Sequence, residues 1–194
     1  MKTIAIIPAR GGSQRILGKN KKLFHGKPII VYSIEKAFES RLFDDVIVST
    51  DDDEIANIAR NAGASVYFRD LAFCYDEVGT QAVVGHCLRG LYGSDGYLYE
   101  VCCIYATSPL MDTADLIRGY YQFRALGGYV FSVGYSPLED AGQFYWGKAI
   151  SFVADDHLID CCRGLIRIAP NRVCDINTLN DWYRAERMYE ELQK

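Results

Sequence analysis

A basic, glycine-containing loop near the N-terminus has the residue types needed to bind a polyphosphate. Residues 10–22 include two adjacent glycines, a serine and five cationic side chains, Arg10, Arg15, Lys19, Lys21 and Lys22. Glycine lets backbone N–H groups approach an anion, and Arg and Lys neutralise the bound charge. An apolar run of strand length, residues 4–7, precedes the loop and ends at Pro8, which has no N–H for a ladder hydrogen bond. The alternative is a solvated basic loop after an edge strand.

The loop resembles the signature loop of the cytidylyltransferases that activate nine-carbon sugar acids, among them the sialic, legionaminic and pseudaminic acid enzymes. The resemblance rests on Pro8-Ala9-Arg10-Gly11-Gly12-Ser13, Arg15-Ile16 and Lys19-Asn20, and the loop is neither a Walker A nor a dinucleotide-binding sequence. It implies that the loop wraps the triphosphate of CTP and that Arg10 and Lys19 are catalytic, in contact with phosphate oxygens. The residues implied to bind the nucleotide here are Ala9, Arg10, Gly11, Gly12, Ser13, Gln14, Lys19 and Asn20. Gln14 stands where the family usually has Lys, so one charge at the phosphates is missing.

A second segment resembles the part of the family that surrounds the cytosine ring. It consists of Arg69, followed at a distance by Gly79 and Thr80, and Asp70 replaces a proline that the family usually has nearby. The resemblance implies that Arg69, Gly79 and Thr80 bind the nucleotide, and the alternative is that Arg69 is a surface residue. Residues 49–56 also resemble the family, but a capping side chain and acids at a helix start favour a structural role there.

Two further segments have the polar groups expected at a sugar site. Thr107 and Ser108 follow a predicted strand, where a small loop can approach a substrate, although a plain turn explains them equally well. Gln143, Phe144 and Tyr145 resemble the sugar-facing strand of the family, in the form expected of its pseudaminic acid branch. Core packing is the alternative for the aromatic residues. We expect all five residues to bind the sugar and Gln143 to set selectivity, because a buried polar group left unpaired discriminates strongly.

A pair of oxygen-bearing side chains precedes the last helical pattern. Asp175 and Asn177 lie in residues 172–178, which we interpret as a strand, so that both side chains share one face. The family has two aspartates there, and the resemblance implies that Asp175, also counted as catalytic, and Asn177 hold Mg²⁺ against the triphosphate. Asn177 offers a carbonyl oxygen without the charge. The alternative is that Asp175 only orders the loop before the helix.

The segments that must position these residues alternate between strand and helix patterns. Strands are predicted at 4–7, 45–49, 64–68, 101–105 and 129–133, and helices near Pro28, over 55–62, and from Thr80, Asp112 or Thr113, and Thr178. Repeated strand–helix units predict an α/β fold with a doubly wound, mostly parallel, Rossmann-like sheet. Ligands of such sheets bind beyond the carboxyl ends of the strands, where the basic loop emerges. The resemblance implies the nucleotide-diphospho-sugar transferase type of this fold.

Composition and charge limit the classes of function. The chain has 194 residues, 49% hydrophobic and 24% charged, as expected for one domain over 1–194. A net charge of −4 argues against nucleic acid as a partner, and no apolar run reaches the roughly 18 residues of a membrane span. We recognise no signal peptide, and the seven cysteines form no CxxC pair. We therefore expect reduced thiols in a cytoplasmic protein.

One departure from the family concerns length. The family usually has an insertion of a few dozen residues that helps to form the dimer and the sugar pocket, and it is largely absent here near 136–142. A homodimer is therefore less strongly implied than for the family. The resemblance implies transfer from CTP to a nine-carbon 2-keto sugar acid, pseudaminic acid in the first instance, giving the CMP-sugar and pyrophosphate. The alternatives are the same reaction on legionaminic or sialic acid, and a weakened or inactive nucleotide-binding homologue.

Overall fold

The computed structural model describes residues 1–75, 77–93, 98–134, 139–154 and 161–194. Its strands are β1 (Thr3–Pro8), β2 (Leu23–Phe24), β3 (Lys27–Pro28), β4 (Asp45–Thr50), β5 (Ser65–Phe68), β6 (Glu100–Ile104), β7 (Tyr129–Val133), β8 (Asp140–Lys148) and β9 (Cys162–Arg167). In these ranges seven strands form one sheet in the order β5-β4-β1-β6-β8-β7-β9, and β2 and β3 form a separate hairpin. In the large sheet, β8 runs antiparallel to its neighbours and the other paired strands are parallel.

Helices cover both faces of the large sheet. They are α1 (Ile29–Ser40), α2 (Asp53–Asn61), α3 (Thr80–Tyr92), α4 (Thr113–Leu126), α5 (Ala149–Val153) and α6 (Leu179–Leu192). Along the central strand β1, Ala5 and Ile7 pack into a core with α1, α2 and α4. Ile4 and Ile6 point the opposite way, into a core with α3 and α5. Since side chains alternate along a strand, the uniformly apolar β1 is buried on both faces, and the predicted doubly wound fold is confirmed.

Helix starts near the carboxyl edge are fixed by capping side chains. Asp52 accepts a hydrogen bond from Ile55 N–H at the start of α2, and Asp112 accepts one from Ala114 N–H at the start of α4. At α6, Thr178 and Asp181 form a reciprocal capping box. These contacts confirm the helix starts expected from the sequence, because a cap satisfies donors that the first turn leaves unpaired. The predicted strands agree with β1, β4, β5, β6 and β7 to within about two residues at each end.

The prediction of a strand over 172–178 is wrong. Pro170–Arg172 form a short 3₁₀ turn, and residues 173–177 are extended without a strand partner among the described residues. The alternation expected of a strand is nevertheless kept, since Cys174 and Ile176 are buried while Asp175 is exposed. Cys174 and Ile176 pack instead into a third core with Trp182 of α6. The alternation of apolar residues therefore predicted which side chains are buried, but it did not predict the hydrogen bonding of the backbone.

Two expectations about the chain as a whole are also answered by the structure. All seven cysteines are free thiols, and four of them are buried. Among the described residues, no helix combines the length and the apolar character needed to cross a membrane.

Candidate active site

A cleft of about 560 Å³ lies at the carboxyl edge of the large sheet. It brings together four regions that are far apart in sequence: the basic loop after β1, the segment between β5 and α3, the segment after β6, and the segment before α6. Its lining residues are Pro8, Arg10, Ser13, Gln14, Arg15, Lys19, Asn20, Arg69, Phe73, Tyr75, Val78, Thr80, Val83, Tyr105, Ala106, Thr107, Asp175 and Asn177.

The basic loop is held in place by acidic residues at the start of α2. Gly11 N–H donates to Asp51 Oδ1 over 2.8 Å, and Lys21 Nζ lies 2.8 Å from carboxylate oxygens of both Asp52 and Glu54. A Cβ atom on Gly11 would lie 2.5 Å from Asp52 Oδ2, so the loop can pass this close only with glycine there. The segment interpreted as a capped helix start therefore also positions the loop. Lys21 is neutralised by these carboxylates, and this leaves other cations to face the cleft.

Lys19 connects the basic loop with the segment before α6. Its ammonium group donates a 2.7 Å hydrogen bond to the carbonyl oxygen of Ile176, between Asp175 and Asn177. Burial lowers the pKa of Lys19 below its ordinary value, the nearby Asp175 carboxylate opposes this shift, and the charges of Arg15 and Arg10 add to it. Several cations are thus crowded at one end of the cleft, which favours an anionic ligand there.

Arg69 forms the wall of the cleft beyond the basic loop. Only 8% of its surface is exposed, and burial lowers its pKa. The guanidinium donates to the carbonyl oxygens of Ser49 and Phe73. Its Nε–H group and the hydroxyl of Ser49 are buried without a hydrogen-bond partner among the residues that the structure describes. An unpaired buried donor is costly, so Arg69 is held in this wall at the expense of a hydrogen bond.

A ring stack supports the chain that follows Arg69. Phe73 stacks on His86 of α3 with ring centroids 4.0 Å apart and an angle of 9° between the planes. His86 Nε2 accepts a hydrogen bond from Asp70 N–H over 3.3 Å and lies 3.2 Å from the hydroxyl of Tyr67. Burial lowers the pKa of His86, so the neutral ring that can accept these bonds is favoured. The imidazole of His86 therefore supports the cleft residue Phe73 directly and the cleft residue Arg69 through the backbone of the adjacent Asp70.

Asp175 and Asn177 meet at the same end of the cleft as Lys19, as predicted from their i, i+2 spacing. The Asn177 amide donates to the Asp175 carboxylate, and both residues line the cleft. Gly142 of β8 lies beside them, since a Cβ atom there would be 3.2 Å from Asp175 Oδ1. In the described part of the chain, three or more His, Cys, Asp and Glu residues do not come together in a metal-binding group. The pair thus offers one carboxylate and one amide.

Tyr105, which the sequence reasoning missed, also lines this end of the cleft. Its hydroxyl lies 3.4 Å from Asp140 Oδ2, and its backbone is fixed by Ser33 Oγ, which donates to Tyr105 O over 2.7 Å. Burial raises the pKa of Tyr105, and the nearby Asp140 carboxylate adds to the shift. Tyr105 is the first residue after β6, and the position after a parallel strand is the signal that would have identified it.

The structure brings most, but not all, of the predicted site residues together. Arg10, Ser13, Gln14, Lys19, Asn20, Arg69, Thr80, Thr107, Asp175 and Asn177 line one cleft. Ala9 is buried behind the loop, Gly79 precedes α3, and Gly11 and Gly12 belong to the loop without being part of the lining. Asn20 also supports the loop through a 2.9 Å hydrogen bond from its amide to Arg10 O.

The predicted sugar-facing residues of β8 lie in the core and not at the cleft. Gln143, Phe144 and Tyr145 are at most 2% exposed, because strands β6 and β7 flank β8 and helices cover both faces. Ser108 is buried too, and its hydroxyl donates to Gly142 O over 2.9 Å. Core packing, the alternative for the aromatic residues, therefore describes their placement. The segment 136–142 falls partly outside the described residues, which omit 135–138.

Comparison with known proteins identifies the class. The family model for cytidylyltransferases matches residues 4–120. Pseudaminic acid cytidylyltransferase of Campylobacter jejuni is 33% identical over 98% of this chain and 97% of that protein. CMP-N,N'-diacetyllegionaminic acid synthase of Legionella pneumophila is 47% identical over 71% of this chain and 59% of that protein. A fold of this kind with these relatives defines a nucleotidyltransferase. The chain belongs to the cytidylyltransferase family.

Solved structures share the fold at low sequence identity. CMP:2-keto-3-deoxy-manno-octonic acid synthetase, in a structure complexed with CTP, superposes with a TM-score of 0.78 at 13% identity, covering 99% of this chain and all of that one. A Mycobacterium tuberculosis protein in complex with manganese gives a TM-score of 0.67 at 14% identity, with coverages of 96% and 99%. The alignment with the Campylobacter jejuni enzyme runs over 225 residues, more than the 194 of this chain, so that relative has residues without a counterpart here.

Proposed function

We propose that the protein transfers the cytidylyl group of CTP to a nine-carbon 2-keto sugar acid, giving the CMP-sugar and pyrophosphate. The observation that carries the proposal is the cleft, where the basic loop, Arg69 and the Asp175–Asn177 pair line one continuous cavity. A nucleoside triphosphate offers a base and a triphosphate chain, and the same chain binds a divalent cation. The family and the activities of the relatives support CTP as that nucleotide.

The two walls of the cleft suit the two parts of the nucleotide. Arg69, Phe73 and Thr80 line the wall beyond the basic loop, and an aromatic ring beside hydrogen-bonding groups suits a base such as cytosine. Arg10, Lys19 and Arg15 crowd positive charge at the opposite wall. Triphosphate oxygens would relieve the repulsion between these cations, so the loop is the expected phosphate site.

The residues present also fit a divalent cation, with Mg²⁺ as the candidate. Mg²⁺ prefers oxygen ligands and is usually held by one or two carboxylates together with substrate phosphates. Asp175 supplies a carboxylate and Asn177 a carbonyl oxygen on one side of an extended segment facing the basic loop. When bound there, the cation would neutralise charge on the phosphates. Lys19, fixed at Ile176 between the two residues, holds the segment close to the loop.

The reaction is an in-line displacement at the α-phosphate. The anomeric hydroxyl oxygen of the sugar acid forms a new bond to the α-phosphorus while the bridging oxygen to the β-phosphate leaves with pyrophosphate, and the hydroxyl proton passes to solvent. Arg10 and Lys19 stabilise the negative charge that the leaving oxygens gain. Thr107 and Tyr105 wall the end of the cleft beside Asp175, which is where the sugar acid would bind.

Pseudaminic acid is the proposed sugar acid, supported by a relative that matches nearly the whole chain. Legionaminic and sialic acid are the alternatives, since relatives of those specificities also match. A second candidate, a nucleotide-binding homologue with little turnover, is favoured by Gln14 and Asn177, which put uncharged amides at the phosphate and metal ends. The seven free cysteines support a reducing compartment such as the cytoplasm.

Pyrophosphate release separates these candidates. The protein is incubated with CTP, Mg²⁺ and, in turn, pseudaminic, legionaminic and sialic acid, with UTP in place of CTP as the control nucleotide. Release with CTP and pseudaminic acid, and little with UTP, is the expected result. Release only with legionaminic or sialic acid would show that this acid, and not pseudaminic acid, is the substrate. CTP binding without pyrophosphate release in any mixture would favour the nucleotide-binding homologue. If CTP does not bind, the proposed function is wrong.

A further inference from the structure

The segment that carries Asp175 and Asn177 is held by side chains and not by a strand ladder. Three carbonyl oxygens along it accept hydrogen bonds from other elements. Gln143 Nε2 donates to Arg172 O over 2.7 Å, Arg184 donates to Val173 O over 3.4 Å, and Lys19 donates to Ile176 O over 2.7 Å. Since backbone polar groups need partners, the path of this segment depends on these three side chains and on Asp181, whose carboxylate accepts from Asn177 N–H over 3.2 Å.

Gln143 is the buried member of this set. It is 2% exposed, and its backbone is fixed in β8, where Gln143 O accepts a 2.9 Å hydrogen bond from Tyr105 N–H. Its side chain leaves the sheet toward Arg172 and forms no part of the cleft lining. In the described part of the chain, Oε1 of the amide is buried without a hydrogen-bond partner. Among the described residues, the buried amide of Gln143 thus makes one 2.7 Å hydrogen bond, from Nε2 to Arg172 O, while its oxygen is unpaired.

Arg172 is fixed at its other end as well. Its guanidinium makes ion pairs with Asp112 over 2.6 Å and with Asp115 over 2.9 Å, at the start of α4. The Asp115 side chain is only 4% exposed, so this contact is shielded from water. With the side chain tied to α4 and the carbonyl tied to β8, Arg172 has little freedom. Asp175 follows three residues later, so the fixed position of Arg172 restricts where Asp175 can lie.

We propose that Gln143 is a positioning residue, which aims Asp175 and Asn177 at the metal–triphosphate through Arg172 and does not select the sugar. The proposal rests on the proposed function for the metal and the nucleotide. Groups that orient metal-binding residues from behind typically change metal affinity or activity by about tenfold to a hundredfold when they are removed. Loss of the Gln143 amide is therefore expected to weaken the metal-dependent part of CTP binding.

The test compares CTP affinity with Mg²⁺ and with a chelator in the wild type and in Gln143→Met, which keeps the length of the side chain but has no donor. Calorimetric titration gives both dissociation constants, and their ratio is the enhancement due to the metal. We expect the substitution to reduce this ratio about tenfold or more and to leave metal-free CTP affinity and the KM for the sugar acid unchanged. Electron paramagnetic resonance of Mn²⁺ with CTP measures the bound metal independently of turnover.

Ser132→Ala is the matched control. Ser132 is fully buried in the adjacent strand β7, and its hydroxyl accepts a 3.0 Å hydrogen bond from Phe144 N–H, one residue along from Gln143. This substitution removes a buried hydrogen bond from the same pair of strands without reaching Arg172. It is expected to lower thermal stability and to leave the metal enhancement intact. If Gln143→Met does not fold, Gln143→Asn decides, because its shorter side chain keeps the amide but retracts it from Arg172.

Other results would overturn the inference. A raised KM for the sugar acid with an unchanged metal enhancement would place Gln143 in sugar recognition. Equal losses in the Gln143 and Ser132 variants would reduce its role to general stability. A wild type in which Mg²⁺ does not strengthen CTP binding would remove the inference, whereas the proposed function is decided separately, by pyrophosphate release.

Discussion

The ammonium group of Lys19 lies 2.7 Å from the carbonyl oxygen of Ile176, so the protein itself joins the basic loop to the segment of Asp175. This bond spans two ends of the chain that are 157 residues apart. It leaves a desolvated cation beside the carboxylate of Asp175. Lys19 consequently has two separable tasks, a structural hydrogen bond and a charge for the phosphates.

Two substitutions of Lys19 separate these tasks. Lys19→Gln keeps a hydrogen-bond donor without the charge, and we expect kcat to fall about a hundredfold because a preorganised charge is lost at the transition state. Lys19→Met loses the donor as well and should also lower the free energy of unfolding, by about 1 kcal/mol. Steady-state kinetics and urea unfolding measure the two effects. Equal stability of both variants would show that the bond to Ile176 is not structurally important.

Arg10→Ala is expected to weaken CTP binding without unfolding the protein. Arg10 lines the cleft, and a charge-assisted hydrogen bond to phosphate contributes about 1.5–3 kcal/mol, which corresponds to a loss of affinity of about tenfold or more. Calorimetric titration of the folded variant with CTP gives the affinity. Arg187→Ala on the exposed side of α6 is the matched control and should bind CTP like the wild type. Unchanged affinity in Arg10→Ala would take the loop out of the nucleotide site.

Restoring charge at Gln14 and Asn177 is expected to raise turnover. Both residues line the cleft, and Gln14→Lys with Asn177→Asp would supply a cation at the phosphates and a second carboxylate at the metal. In Asn177→Asp the new carboxylate would lie beside Asp175, so its stability should fall without a divalent cation and recover when Mg²⁺ is added. Pyrophosphate release and melting temperatures with and without Mg²⁺ measure these effects. A double variant that binds CTP but gains no Mg²⁺-dependent activity would show that these charges do not limit catalysis.

The stability of the protein is expected to fall in mild acid because of His86. Burial lowers the pKa of His86 in the folded state, and Asp70 opposes the shift while Arg89 and Arg69 add to it. Below the ordinary value of 6.5 the unfolded chain therefore binds more protons than the folded one, and stability is lost as pH falls through the folded pKa. Urea unfolding at a series of pH values from 7.5 to 5 measures the slope. His86→Gln, which does not titrate, should have a shallower slope, and an unchanged slope would assign the effect to other groups.

Sequence reasoning placed the basic loop at the cleft because local patterns determine its position. The succession of strand, basic loop and capped helix places Arg10 and Lys19 at the carboxyl edge of a parallel sheet, whereas Arg69 was identified through the resemblance to the family. The i, i+2 spacing of Asp175 and Asn177 likewise gave their common facing. These features need only the periodicity of side chains and the direction of the strands.

The placement of Gln143 was beyond the reach of such patterns. β8 enters the sheet antiparallel between β6 and β7, and this order is set by pairings distant in sequence. A glutamine before three aromatic residues is equally typical of a strand that lines a binding site and of a strand buried in the core. Only the three-dimensional position of Arg172 O shows which partner its amide takes. Tyr105 differs from Gln143, because its position directly after β6 could have identified it from the sequence, and only its contact with Asp140 of β8 needed the structure.

The pairing of β7 with β8 makes the structure of the sheet independent of the length of the connection between these two strands. Val133 pairs with Asp140, and Gly134 N–H donates to Glu139 O over 2.8 Å, so the two strands are joined to each other before the connection between them begins. The register of the sheet is therefore independent of how many residues the connection contains, and doubling a loop costs only about 0.6 kcal/mol of closure entropy. Residues can be gained or lost at this junction, next to Asp140 and Tyr105, with little effect on the rest of the domain. A change in the length of this connection can thus alter the surroundings of Asp140 and Tyr105 while the pairing of the sheet is kept.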